Sequence, residues 1–191
     1  MSAPILTVAN QLTLLRMGLA PLLVVLVLQG RMAWALGVFV VAGVTDALDG
    51  LIARLGGQQT TLGAMLDPVA DKVLMTSAFI ALTWGGGLAV AIPVWLTVVI
   101  LSRDAIIIVS VAIVNLTLGR RIFYPSLLGK LSTVSQLLTV GLVLLANVVG
   151  GGAMLRHVFT VTLALTVASA LHYVYLASTR GPGRAPEEPA A

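Results

Sequence analysis

Apolar residues run along this chain in long, nearly uninterrupted stretches separated by short polar or glycine-rich breaks. Six stretches reach the roughly 20 residues a helix needs to cross a hydrocarbon core: 10–29, 32–53, 67–85, 89–114, 127–149 and 156–178. Gly30-Arg31, Gly85-Gly86-Gly87, Gly119-Arg120-Arg121 and Gly150-Gly151-Gly152 punctuate them as loops. Val73 to Ser102 carries no charge, a run too long and too unalternating for a barrel strand. The pattern predicts an all-α integral membrane protein, a bundle of six transmembrane helices.

Composition strengthens that reading. Of 191 residues 59% are hydrophobic and only 9% charged, against roughly a quarter charged in a soluble domain. Too few charges remain to cover a surface in water, which argues against a soluble enzyme and against nucleic-acid binding despite the net charge of +4. The basic residues are unevenly placed. Arg54, Lys72, Arg120, Arg121, Lys130, Arg180 and Arg184 gather on one side of the predicted bundle, and only Arg31 and Arg156 on the other. The positive-inside rule then puts both termini and the 2–3 and 4–5 loops in the cytoplasm. The chain reads as one membrane domain, 1–180, followed by a disordered cytoplasmic tail, 181–191, rich in Pro and Gly. The segment MSAPILTVANQL lacks a signal peptide's basic n-region and is read as mature sequence. With no cysteine there is no disulfide and no thiolate ligand. Trp34, Trp84 and Trp95 fall near predicted helix ends, as an interfacial belt would. His157 and His172 lie far in sequence from the acids and are read as structural or interfacial.

Four of the five acids before the tail fall between Asp46 and Asp71. A carboxylate facing lipid costs roughly 2.5–3.5 kcal/mol on insertion scales, so these four must line a polar cavity or hold something cationic. Asp46 and Asp49 are i, i+3 and Asp67 and Asp71 are i, i+4, so each pair shares a helix face. A short loop makes the two helices antiparallel neighbours, and the four carboxylates can converge at the cytoplasmic face. Arg54 and Lys72 adjoin them but do not balance that charge. Hard divalent cations prefer such oxygens, and a two-metal site suits displacement at phosphorus. The structural alternative is a set of helix caps paired with Arg54 and Lys72, in which Asp67 before Pro68 is an N-cap. Gly50 and Gly63 beside the acids fit either close ligand approach or helix packing.

Asp46-x2-Asp49-Gly50-x2-Ala53-Arg54-x8-Gly63-x3-Asp67-x3-Asp71 resembles the complete signature of the CDP-alcohol phosphotransferases. The resemblance implies a membrane enzyme of phospholipid synthesis, in which an acceptor hydroxyl attacks the β-phosphorus of CDP-diacylglycerol and CMP leaves. By matching position, Asp46, Asp49 and Asp67 would bind two Mg²⁺ or Mn²⁺ ions, and Asp71 would be the general base, also touching a metal. Gly50, Ala53 and Gly63 would make room for the cytidine nucleotide, with Arg54 near its phosphates. Asn10-x2-Thr13-x2-Arg16 resembles the first-helix motif of the bacterial phosphatidyl-transferring branch and joins the CDP-lipid-binding set. The same resemblance implies a multi-pass protein of the bacterial inner membrane, its site at the cytoplasmic face, and a homodimer. Ala33-x3-Gly37 is a permissible contact for such a dimer.

For the acceptor, Lys130-x2-Thr133-x2-Gln136 resembles a stretch shared by phosphatidylglycerophosphate and cardiolipin synthases, and Arg103 is a charge inside a span. These four form the expected acceptor set, with Lys130, Thr133 and Gln136 on one helix face; Arg103 pairing with Asp104 is the alternative. Phosphatidylglycerophosphate synthases carry further cations where this chain has Val111 and Ser132. Fewer cations suit the diffuse monoanion of phosphatidylglycerol better than a glycerol 3-phosphate dianion, so phosphatidylglycerol is the favoured acceptor. Glycerol 3-phosphate is the alternative. A rival from another class is a divalent-cation transporter, which needs acids near the bilayer midplane and an exit path.

Overall fold

A computed structural model of the chain describes residues 8–56, 61–118 and 127–179, with side chains over 14–48, 70–110 and 127–175. Six helices follow one another: α1 (Val8–Leu28), α2 (Met32–Gly56), α3 (Thr61–Trp84), α4 (Val94–Leu118), α5 (Leu127–Val149) and α6 (Leu155–Thr179). Every apolar stretch in the sequence becomes a helix. The expected Gly119-Arg120-Arg121 loop and the tail 181–191 lie outside the described residues. Among those described, two helices are long and apolar enough to cross a membrane, Leu127–Val149 and Leu155–Tyr175.

Two helix starts differ from expectation. α3 begins at Thr61, so Asp67 and Pro68 are interior to it and Asp67 is not its N-cap. Pro68 removes one ladder bond but does not stop the helix, because Leu62, Ala64, Met65 and Leu66 extend the apolar run upstream. α4 begins at Val94, five residues later than its apolar run. Pro93 biases the residue before it away from helix. Asn147 of α5 then captures the freed backbone: its Nδ2 donates to the Val90 carbonyl at 2.8 Å, while the Val90 N–H donates to its Oδ1 at 3.2 Å. Nδ2 also donates to the Val143 carbonyl. Leaving these part-buried backbone groups without partners costs about 1–3 kcal/mol. Asn147→Leu is therefore expected to lower the thermal unfolding midpoint by about 5 °C, measured in detergent; an unchanged midpoint would mean that other contacts hold the segment.

The chain divides into two compact units, the division falling within the continuous helix α5. One holds α1 to α3, the 85–93 connection and the second half of α5. In it α1 packs against both α2 and α3, and Ala20, Ala42 and Leu74 form a buried cluster with Leu19 against it. Two alanines at this contact let the backbones approach closely. α1 ends in a Schellman motif: Arg31 N–H donates to the Leu26 carbonyl and Gly30 N–H to that of Val27, with Gly30 at φ 71° where a side chain would be strained. The other unit holds α4, the first half of α5 and α6. Beside buried Leu96, Ile100 and Phe159, it buries a set of hydroxyl side chains: Ser132 and Ser135 of α5 and Thr162, Thr166 and Ser169 of α6.

Large apolar side chains remain exposed on every helix, among them Leu22, Val41, Ile80, Ile106, Leu138 and Val161. Trp34 opens α2, Trp84 closes α3 and Trp95 opens α4, all three exposed.

Candidate active site

A charge eight residues into an apolar helix must find an opposite charge or leave the helix unstable. Arg16 on α1 is that charge, and it is 1% exposed. Its Nη1 lies 2.7 Å from Asp46 Oδ1 on α2 and 3.1 Å from Asp71 Oδ1 on α3. One guanidinium nitrogen therefore joins the two halves of the acidic signature and holds the carboxylate oxygens within about 6 Å of each other, a range in which like charges oppose joint ionisation. Helix periodicity sets the level. Ala20 is four residues after Arg16, Ala42 four before Asp46 and Leu74 three after Asp71. The dry cluster of those three apolar residues thus lies one turn away from the ionic one. The two carboxylates themselves are half-exposed, at 49% of each side chain, and so remain open to a ligand.

Sequence reasoning grouped Arg16 with the CDP-lipid contacts, whereas the structure pairs it with Asp46 and Asp71. The signal was present: a cation inside an apolar helix needs an anion on a neighbouring helix. Lys72, next to Asp71, is half-buried. Asp49 lies one turn after Asp46 within α2, and Asp67 one turn before Asp71 within α3. The side chains of Asn10, Thr13, Asp49, Gly50, Ala53, Arg54, Gly63 and Asp67 lie outside the described residues. Among the described residues no three His, Cys, Asp or Glu side chains group together. Asp46 and Asp71 nonetheless fit a divalent cation: two hard oxygen donors from different helices are already turned towards one shared positive charge.

The expected acceptor residues fall in the other unit and do not behave alike. Arg103 is buried, its Nη1 2.7 Å from Asp104 Oδ1 and its Nη2 donating to Ser169 Oγ of α6 at 2.9 Å. The alternative pairing with Asp104 is therefore realised. Gln136 is buried and its Nε2 donates to Ser132 Oγ, which itself meets Thr166 Oγ1 at 3.3 Å. Thr162 Oγ1 donates to the Ser135 carbonyl, adding a second α5–α6 link. Lys130 and Thr133 are exposed, and the Thr133 hydroxyl donates to the Gly129 carbonyl of its own helix. The three residues do not share one face, because an i, i+6 step turns about 240° around a helix. Ser132, one of the two positions at which phosphatidylglycerophosphate synthases carry a further cation, is fully buried against Thr166 of α6, a place that would strand an ammonium. Ser169 was not foreseen: a lone serine in an apolar helix gives no signal until its partner is known.

These features define a helical protein with a buried guanidinium bridging two signature aspartates, and comparison with known proteins assigns it. The chain belongs to the CDP-alcohol phosphatidyltransferases, whose family model matches residues 6–172. It is 38% identical over 187 residues to the cardiolipin synthase (CMP-forming) of Rattus norvegicus, covering 88% of this chain and 61% of that protein. It is 36% identical over 165 residues to the cardiolipin synthase (CMP-forming) of Streptomyces coelicolor, covering 81% and 73%. A probable phosphatidylglycerophosphate synthase of Mycobacterium tuberculosis is 40% identical over 152 residues, covering 75% and 68%. The chain thus spans about three fifths of the length of its mammalian relatives.

Proposed function

We propose that this protein transfers a phosphatidyl group from CDP-diacylglycerol to the hydroxyl of a glycerol-type alcohol, releasing CMP, with phosphatidylglycerol as the acceptor. The observation that carries the reading is the meeting of Asp46 and Asp71, from the two halves of the complete signature, on the buried Arg16. Relatives named cardiolipin synthase (CMP-forming) support both the donor and the acceptor. In the reaction an acceptor oxygen forms a bond to the β-phosphorus, the bond from that phosphorus to the CMP oxygen breaks, and the acceptor proton passes to the Asp71 carboxylate. Asp46, Asp49, Asp67 and Asp71 would hold two Mg²⁺ or Mn²⁺ ions. Such ions, when bound, offset the charge that develops on the pyrophosphate oxygens. Arg16 keeps Asp46 and Asp71 on one centre. Asn10, Thr13, Gly50, Ala53, Arg54 and Gly63 would receive the CDP-lipid, and Arg103, Lys130, Thr133 and Gln136 the acceptor.

All six helices span a bacterial inner membrane in this reading, with both termini and the acidic cluster at the cytoplasmic side. The exposed apolar side chains would then face lipid, and Trp34, Trp84 and Trp95 would line the far interface. Residues 1–180 act as one catalytic domain, and two copies pair as a homodimer. Glycerol 3-phosphate is the second reading, favoured by the Mycobacterium tuberculosis relative. CMP release by the purified protein, with each acceptor tested separately, decides between them. Addition of EDTA is expected to abolish release and excess Mg²⁺ to restore it; release that persists in EDTA would contradict the metal assignment.

A further inference from the structure

Burying a guanidinium is costly unless each of its N–H groups has a partner. Arg103 meets that condition at two places. Asp104 holds Nη1 and Ser169 holds Nη2, and both partners are themselves buried. Nε is also buried, yet it has no hydrogen-bond partner. In the same unit the Nδ1 atom of His172 is likewise buried and unmatched. His172 is three residues after Ser169, on the same face of α6. Two orphaned polar atoms in one small unit are unusual, since each carries the full cost of its lost water.

We propose that Ser169 is a positioning residue. With Asp104 it fixes the rotation of the Arg103 guanidinium so that Nε–H is presented to a phosphodiester oxygen of the acceptor, with His172 flanking that seat. This rests on the phosphatidyl-transfer reading and names the part of the acceptor recognised. The charge favours a phosphodiester. Asp104 already offsets Arg103, so the pair offers directed hydrogen bonds with no net charge. That suits a diffuse monoanion and leaves the dianion of a phosphomonoester uncompensated. A guanidinium pinned at both terminal nitrogens loses little further freedom when its third nitrogen donates, which is why its positioning governs acceptor affinity.

Steady-state CMP release in mixed micelles tests this, varying phosphatidylglycerol at saturating CDP-diacylglycerol and then the reverse. Ser169→Ala is expected to raise the KM for phosphatidylglycerol about tenfold while kcat and the KM for CDP-diacylglycerol stay within about threefold. Ser169→Thr, which keeps the hydroxyl, is expected to restore the wild-type KM. Ser169→Cys keeps the volume with a poorer acceptor atom and should follow the alanine variant. An unchanged acceptor KM in the alanine and cysteine variants would overturn the seat alone. So would equal shifts in both KM values, or failure of both variants to fold, since these mark a purely structural serine. Wild-type protein that releases no CMP with any glycerol-type acceptor would overturn the phosphatidyl-transfer reading, and the seat with it.

Discussion

Asp71→Asn is expected to lower CMP release by about 1,000-fold while leaving the unfolding midpoint within a few degrees of wild type. General-base catalysis contributes on the order of 10²–10⁴, and an amide of the same size cannot accept the acceptor's proton. The fold should survive because Arg16 keeps its shorter contact, the one to Asp46 at 2.7 Å. Relief of the repulsion between the two carboxylates offsets part of the lost attraction to Arg16. The measurement is CMP release at saturating donor and acceptor, paired with thermal unfolding of the same preparation. Activity within tenfold of wild type would remove Asp71 from the proton transfer.

Arg16→Gln comes next in size, and it should damage both activity and stability. Removing a buried cation strands the anions it faced, at about 3–5 kcal/mol when both partners are fully buried. Asp46 and Asp71 are half-exposed, so water recovers much of that, and about 2 kcal/mol is expected, or a midpoint lowered by about 5 °C. CMP release should fall by about 100-fold, because Asp46 and Asp71 would then repel one another across the reaction centre. Arg16→Lys should retain more activity than Arg16→Gln, since both contacts are made by a single nitrogen and an ammonium can reproduce a point charge. Mg²⁺ should recover part of the lost midpoint in Arg16→Gln by supplying counter-charge to the same carboxylates. A variant with wild-type stability and activity would show that the Arg16 contacts do not organise the site.

Much of this was legible in the sequence, for identifiable reasons. Apolar run length fixes helix positions in a chain this hydrophobic, so all six helices were found and α5 matched at both ends. The carboxylate spacing pointed to Asp46 and Asp71 as neighbours, and they meet on Arg16, because acids in an apolar context have few inexpensive arrangements. Boundaries failed where local chemistry overrode hydropathy: Pro68 did not start α3, and Pro93 delayed the start of α4, the freed Val90 backbone bonding Asn147 across 57 positions of chain. The contact of Arg16 with Asp46 and Asp71 was not legible, because a motif names a residue without naming its partner. The split of Lys130 and Thr133 from Gln136 followed from helix rotation, which the motif spacing obscured. Ser169 and its bond to Arg103 were invisible, since a contact 66 residues apart leaves no local trace.

The most direct test of the proposed activity is the lipid product formed by purified protein given CDP-diacylglycerol, phosphatidylglycerol and Mg²⁺, identified by mass spectrometry alongside CMP release. The expected result is cardiolipin in equal amount to CMP, with little phosphatidylglycerophosphate when glycerol 3-phosphate replaces phosphatidylglycerol. Efficient phosphatidylglycerophosphate formation without cardiolipin would reverse the acceptor assignment. Absence of any phosphatidyl-transfer product with either acceptor would contradict the reaction itself.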